Sequence, residues 1–188
     1  MKDNVEQLCD RAREGDLASA SELVSHFYQR IYAYFRRLCG SDDDAADLTQ
    51  KTFSKGWQSL SSYRQTSTFS TWLHGIAHHV YADWRRKRSA GELQTDDWWN
   101  ACPDESPTPY EDAAEKELAR QLYQWVDQLD EEKKQAVHLH YYQNLSLSET
   151  ADALGIATST VKYRLREALE FLRSKAAEPR FVPERRTI

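Results

Sequence analysis

At 188 residues, with 40% hydrophobic and 29% charged side chains, the chain has room for one medium domain or two small ones. No apolar run is long enough to span a bilayer, and MKDNVEQLCD lacks the apolar core of a signal peptide, so a cytoplasmic protein is expected. The net charge of −5 is concentrated in one place: residues 1–92 carry 13 Lys and Arg against 12 Asp and Glu, residues 93–117 carry 1 against 8, and residues 118–188 carry 11 against 10. Acidity in one short segment leaves the flanks free to present basic patches, and local patches govern phosphate contact.

In chain order, Val5, Leu8 and Ala12 predict a first helix over 4–14, broken at Gly15-Asp16. Ala20, Leu23, Val24, Phe27, Ile31, Tyr34, Phe35 and Leu38 keep a helical period from Leu17 to Cys39, and Gly40 stops it. Ser41 and Asp42 to Asp44 suit the positive end of a third helix, Asp44 to Ser59, with Ala45, Leu48, Thr52, Phe53 and Trp57 on one face. The opposite face shows Asp47, Gln50, Lys51 and Ser54. After the polar connection SSYRQTSTFS, a fourth helix is expected from Thr71 to Arg88, capped by Ser70 or Thr71. Trp72, Leu73, Ile76, Ala77 and Val80 form its buried stripe, and Arg85-Arg86-Lys87-Arg88 its basic end.

Residues 93–112 read as an acidic flexible linker. Pro103, Pro107 and Pro109 forbid a continuous helix, and Trp98, Trp99 and Tyr110 suggest that part of it lies against a surface. A helix is then expected over Glu115 to Leu129, with Leu118, Leu122, Trp125, Val126 and Leu129 inward, and another over Glu131 to Tyr142, capped by Asp130. Leu145 to Arg173 reads as a helix-turn-helix. Ser148 caps its first helix, Thr150, Ala151 and Leu154 give it an apolar face, Gly155 ends it and Ile156 packs the turn. Thr158 caps the second helix, where Val161, Leu165, Ala168, Leu169 and Leu172 face inward. Ser159, Thr160, Lys162, Tyr163, Arg164 and Arg166 are left to enter a major groove. The tail 176–188 is expected to fray.

Between Tyr63 and Arg88, the aromatic residues Tyr63, Phe69, Trp72, Tyr81 and Trp84 interleave with cations. Stacking on unpaired bases contributes about 1–3 kcal/mol per base, so this pattern suits melted DNA better than intact duplex. Trp72 also fits the core stripe, whereas Phe69 and Trp84 are less bound to it. His74 and His78 stand at i, i+4, but neither HExxH nor a cysteine cluster accompanies them, so no metal is expected. Cys9, Cys39 and Cys102 form no CxxC and read as free thiols, with redox sensing as the alternative. Phosphate-binding and nucleophile-elbow motifs do not occur, so neither a cofactor nor catalysis is expected.

In this order, the pieces resemble the extracytoplasmic-function (ECF) subfamily of RNA polymerase sigma factors, in the sigma-70 family, over about Leu17 to Arg173. DDDAADLTQKTFSKGW resembles the helix that docks on the clamp coiled-coil of the largest polymerase subunit. The resemblance assigns core-polymerase contact to Asp44, Asp47, Leu48, Gln50, Phe53 and Trp57. STFSTWLHGIAHHVYADWRRKR resembles the segment that melts and reads the minus-ten element. It assigns that role to Tyr63, Phe69, Trp72, His79, Asp83, Trp84, Arg85, Arg86 and Arg88. The C-terminal helix-turn-helix resembles the minus-thirty-five reader, through Thr158, Ser159, Thr160, Lys162, Tyr163, Arg164, Arg166 and Glu167.

The implied architecture is all-α: sigma region 2 as a helical bundle over 1–92, the linker over 93–112, and sigma region 4 over 113–175. The implied partners are core RNA polymerase (clamp coiled-coil, and the flap of the second largest subunit), promoter DNA and a membrane-associated anti-sigma factor, with no membrane insertion of this chain. Ala46 and Lys51 depart from the usual acids of the clamp helix, His79 from Asn, Tyr163 from Ser and Glu167 from Arg. A carboxylate at 167 accepts from cytosine N4, so the minus-thirty-five preference should differ from that of typical members. The rival expectation is a stand-alone dimeric helix-turn-helix regulator with an N-terminal sensor domain, which leaves the aromatic-basic stretch unexplained.

Overall fold

The computed structural model describes residues 2–89 and 112–177. The expected linker and tail, with Trp98, Trp99, Tyr110 and Cys102, fall almost wholly outside them. Among the described residues every regular element is helical. Four helices form the first bundle: α1 (Lys2–Arg13), α2 (Leu17–Cys39), α3 (Asp42–Ser59) and α4 (Phe69–Arg88), with a 3-10 turn at Leu60–Ser62. Four more follow: α5 (Asp112–Asp127), α6 (Glu131–Val137) running into a π-helical turn at His138–Tyr142, α7 (Leu147–Leu154) and α8 (Thr158–Ala177).

The boundaries follow from local chemistry. Asp16 caps α2 through the Ala18 N–H, and Gly40 ends it in the left-handed region at φ 71°. Ser41 caps α3 and Thr68 caps α4, two residues before the earliest cap expected from sequence. Ser146, not Ser148, caps α7: its hydroxyl accepts from the Glu149 N–H and Glu149 accepts from the Ser146 N–H, a reciprocal capping box. Thr158 is the first residue of α8 rather than its cap, and the Ala157 carbonyl accepts from Thr160 and Val161.

The core of the first bundle is Leu23, Ile31, Tyr34, Phe35, Leu48, Leu73, Ala77 and Tyr81. Val126, Val137, Leu139, Ala151, Leu154, Val161, Leu165 and Ala168 build the second. Leu118 and Leu122, expected inside, are 53% and 40% exposed, because α5 reaches the core only from Val126 onward. The helix expected to run unbroken to Tyr142 instead widens at His138, where the Gln143 N–H bonds back to the His138 carbonyl. Such π turns often sit at functional positions.

The two bundles pack on each other along a seam between α4 and α7. A Cβ on Gly75 of α4 would stand 3.6 Å from the Ala153 carbonyl of α7, so the helix backbones approach closely there. Polar contacts surround this crossing. Glu149 accepts from Thr68 (3.4 Å) and Thr71 (3.3 Å), and Arg85 pairs with Glu131 at 3.3 Å. His78 bonds to Gln135, and Arg30 donates to the Gln143 carbonyl. Arg37 of α2 lies 4.1 Å from the Tyr142 ring centroid and 4.9 Å from that of Tyr123, and donates to the Tyr123 hydroxyl at 2.6 Å.

Candidate nucleic-acid interface

One face of α4 turns away from the seam. Trp72, Ile76, His79, Asp83 and Arg86 recur at helical spacing along it, with His79 and Arg86 exposed and Trp72, Ile76 and Asp83 half-exposed. Beneath Trp72 lie Tyr63 and Phe69, each only 4% exposed, with ring centroids 5.1 Å and 5.4 Å from the Trp72 ring. Phe69 also packs 5.1 Å from Phe27 of α2. The expectation that Phe69 and Tyr63 face DNA is therefore corrected: they are a buried platform that supports Trp72. Burial pushes the Tyr63 hydroxyl up to about 12, and that hydroxyl donates to the Ser67 carbonyl. Arg13 of α1 fixes the same loop by donating to the carbonyls of Leu60 and Tyr63, a role nothing in the local sequence pattern signalled.

The basic end of α4 is braced by acids. Asp83 pairs with Arg86 at 2.6 Å and with Lys55 of α3 at 3.4 Å. Asp44, in the first turn of α3, accepts from Trp84 Nε1 at 3.3 Å and from Arg88 at 2.8 Å. The Trp84 ring stacks 5.6 Å from Tyr81, and the Arg88 guanidinium lies 5.0 Å from the Trp84 centroid. Arg85 turns to the seam and Glu131.

Of the residues expected to meet a polymerase on α3, Leu48 and Phe53 are core residues, 1% and 7% exposed. Their helical phase sets them against α2, where Tyr28 stacks on Phe53. Trp57 is half-buried. The exposed residues of α3 include Asp47, Gln50, Lys51 and Ser54, with Asp47 and Lys51 paired to each other.

On α8, Ser159, Lys162, Tyr163 and Arg166 are exposed, and Thr158 and Thr160 half-exposed. The Arg166 guanidinium lies 5.3 Å from the Tyr163 ring, with Glu167 at 3.7 Å and Glu170 at 3.8 Å. Arg164 does not join this face: its side chain is held against α6 by Glu132 at 2.6 Å.

The histidines of the metal reading are occupied otherwise. His74 is fully buried and its Nδ1 bonds to the Ser70 carbonyl, while His78 engages Gln135 across the seam. Among the described residues no group of three or more His, Cys, Asp or Glu side chains is arranged to hold a metal ion. No described helix is long and apolar enough to cross a membrane. Burial raises the thiols of Cys9, to about 11, and Cys39.

The family described as Sigma-70 region 2 matches residues 23–91, and Sigma-70, region 4 matches residues 125–174. The chain is 32% identical over 86% of its length to the ECF RNA polymerase sigma factor SigE of Mycolicibacterium smegmatis, of which it spans 63%. It is 30% identical over 88% of its length to the ECF RNA polymerase sigma factor SigX of Bacillus subtilis, covering 91% of that protein. In fold it is similar to the sigma factor RpoE of Bartonella quintana, solved in complex with the anti-sigma factor NepR. The TM-score is 0.68 at 18% identity, covering 85% of this chain and 98% of that one.

Proposed function

The chain belongs to the ECF RNA polymerase sigma factors of the sigma-70 family, which are not enzymes in the catalytic sense, and from this we propose that it directs core RNA polymerase to specific promoters. One observation carries the reading. A single chain presents two separate surfaces of different chemistry, each suited to nucleic acid: the aromatic, histidine and cationic stripe of α4, and the exposed polar and basic face of α8.

The first face suits an opened minus-ten strand. Trp72 offers a π-surface, His79 and Asp83 offer hydrogen bonds to base edges, and Arg86 and Lys87 meet phosphates. The second suits duplex at the minus-thirty-five element, read through Ser159, Thr160, Lys162, Tyr163 and Arg166. Residues 1–92 and 113–175 carry these roles, and Asp47, Gln50 and neighbouring surface of α3 meet the polymerase clamp. The acidic residues 93–112 join the two. An anti-sigma factor restrains the protein, as the complex of the Bartonella relative supports. The site of action is the cytoplasm.

Two promoter elements about 25 base pairs apart lie roughly 85 Å apart along B-DNA. Helices in contact at Gly75 and Ala153 do not span that distance, so the bundles separate when the holoenzyme forms. One small helix-turn-helix makes few phosphate contacts, so the free protein binds duplex promoter weakly. The test is in-vitro transcription by purified core polymerase on a pooled genomic promoter library, with and without the protein. New start sites that depend on it, sharing two spaced sequence elements, are the expected result. No new starts, with tight binding of a palindromic duplex by the protein alone, would transfer the case to a dimeric regulator.

A further inference from the structure

The resemblance places Asp44 on the polymerase-facing helix, but its side chain points to the C-terminal end of α4, where Trp84 and Arg88 stand. Its two carboxylate oxygens are divided between two donors from α4: Oδ1 accepts the Trp84 indole N–H and Oδ2 accepts the Arg88 guanidinium. The carboxylate itself is fixed at its base, because the Asp44 N–H is bound by the Ser41 cap. Around it the parts interlock. The indole is stacked on Tyr81, the Tyr81 hydroxyl donates to the Leu38 carbonyl at 3.2 Å, and the Arg88 guanidinium lies against the indole ring. Asp44 and Arg88 are each about one-third exposed, so the pair is neither fully solvated nor sealed.

A tryptophan with a fixed N–H and a fixed stacking partner presents one edge and one face to anything that approaches. An arginine paired to a carboxylate is oriented, and its planar fork matches the geometry of a phosphate. We infer that Asp44 is a positioning residue for the minus-ten site: it sets the Trp84 ring and the Arg88 guanidinium in the orientation that receives the opened strand. This inference rests on the proposed promoter-opening function. It moves Asp44 from the list of polymerase contacts to the DNA side of the molecule. It also makes the first turn of α3 one structural link between the polymerase-binding helix and the melting helix, beside the Lys55–Asp83 pair.

The test uses holoenzyme assembled from core polymerase and full-length variants, on a promoter the wild-type protein opens. Core affinity is read by fluorescence titration and strand opening by permanganate reactivity. Losing a charge-assisted hydrogen bond, Asp44→Ala should reduce opening about tenfold or more. Its core affinity should change by less than about twofold, a split that a docking residue would reverse. Asp44→Asn keeps an acceptor for the indole and should recover part of the loss. In a cycle with Trp84→Phe and Arg88→Ala, the effect of Asp44→Ala should largely vanish once both donors are gone. Loss of core affinity in step with activity, or full additivity in the cycle, would overturn the inference. A thermal melt controls for folding; should Asp44→Ala fail it, the Asn variant and the donor substitutions carry the cycle. If wild-type protein opens no promoter at all, the proposed function fails instead, and the two failures are told apart by that control.

Discussion

Phe69 and Trp72 are three residues apart and touch, yet their removal should have different consequences. Phe69 is packed on all sides by Phe27, Tyr63 and Trp72, so Phe69→Ala should cost about 3–5 kcal/mol of stability, measured by urea denaturation. Trp72 is half-exposed, so Trp72→Ala should cost less stability but reduce promoter opening, with about 1–3 kcal/mol lost per stacked base. A Phe69→Ala protein with wild-type stability and defective opening would reverse the assignment. The same residues show what sequence can reveal at this scale. Phe69 and Tyr63 lie at the edge of a helix and in a loop, where no period marks which way a ring turns. Arg164 is similar: α8 spacing places it beside the exposed residues, and only the position of Glu132 on α6 explains why it folds back. Residues deep in a long period, such as Leu23, Ile31 and Leu73, were legible because alternatives for them would bury charge.

At the level of elements, α7 is short, eight residues, and depends on its ends. Ser146 contributes the cap and Glu149 contributes both the return bond of the capping box and the acceptor for Thr68 and Thr71. Burial pushes the Glu149 carboxyl up, but its bonds to Ser146, Thr71 and Thr68 outweigh this and hold it below the usual glutamate range. Ser146→Ala should cost about 1 kcal/mol. Glu149→Ala should cost more, because it breaks the box and the seam together; equal costs in urea melts would show that the contacts to α4 contribute nothing. The S-x-x-E pattern was present in LSLSET, and reading Ser148 as the cap missed a signal the sequence carried. The π turn at His138 had no such signal, since HLHYY reads equally well as α-helix. Its widening is explained by tertiary contacts: Tyr142 meets Arg37, and Gln143 meets Arg30.

The whole molecule is governed by the seam, which left no hydropathy trace. The helical periods of α4 and α7 each marked one apolar stripe, and both stripes were spent on their own bundles. The α4–α7 crossing itself is made by Thr71, Gly75, Glu149 and Ala153, all small or polar, and the contacts around it run through Arg30, Arg37, His78 and Arg85, so the closed arrangement could not be inferred from periodicity. Two buried histidines give the seam a pH dependence. Burial, with Arg37 and Lys134 nearby, holds His138 down to about 3; burial holds His74 down to about 4, and Arg30 adds to it. Both are neutral in the folded protein, and an unfolded histidine titrates near 6.5. The unfolded chain therefore binds more protons below that value, and stability should be complete above pH 6.5 and fall as pH drops toward 4. His138→Leu should flatten the decline in urea midpoint between pH 7 and 5; an unchanged slope would remove His138 from the account.

Opening of the seam is the remaining consequence, and Gly75 is the place to test it. An added Cβ there would meet Ala153 at 3.6 and 3.8 Å, ordinary contact distances, so Gly75→Ala should leave the closed form intact. A leucine places further carbons where the α7 backbone stands, and the contact can be relieved by moving the bundles apart. A compact chain of this length has a radius of gyration of about 16 Å. By small-angle scattering, Gly75→Leu should be several ångströms larger, while Gly75→Ala should match the wild type. If closure competes with polymerase, opening it in advance makes every molecule competent, and apparent affinity for core rises by the inverse of the fraction that was open before. Gly75→Leu should therefore assemble holoenzyme at lower protein concentration than Gly75→Ala. An expanded Gly75→Leu protein that assembles no better would mean that the closed form is no barrier, and that polymerase separates the bundles at negligible cost.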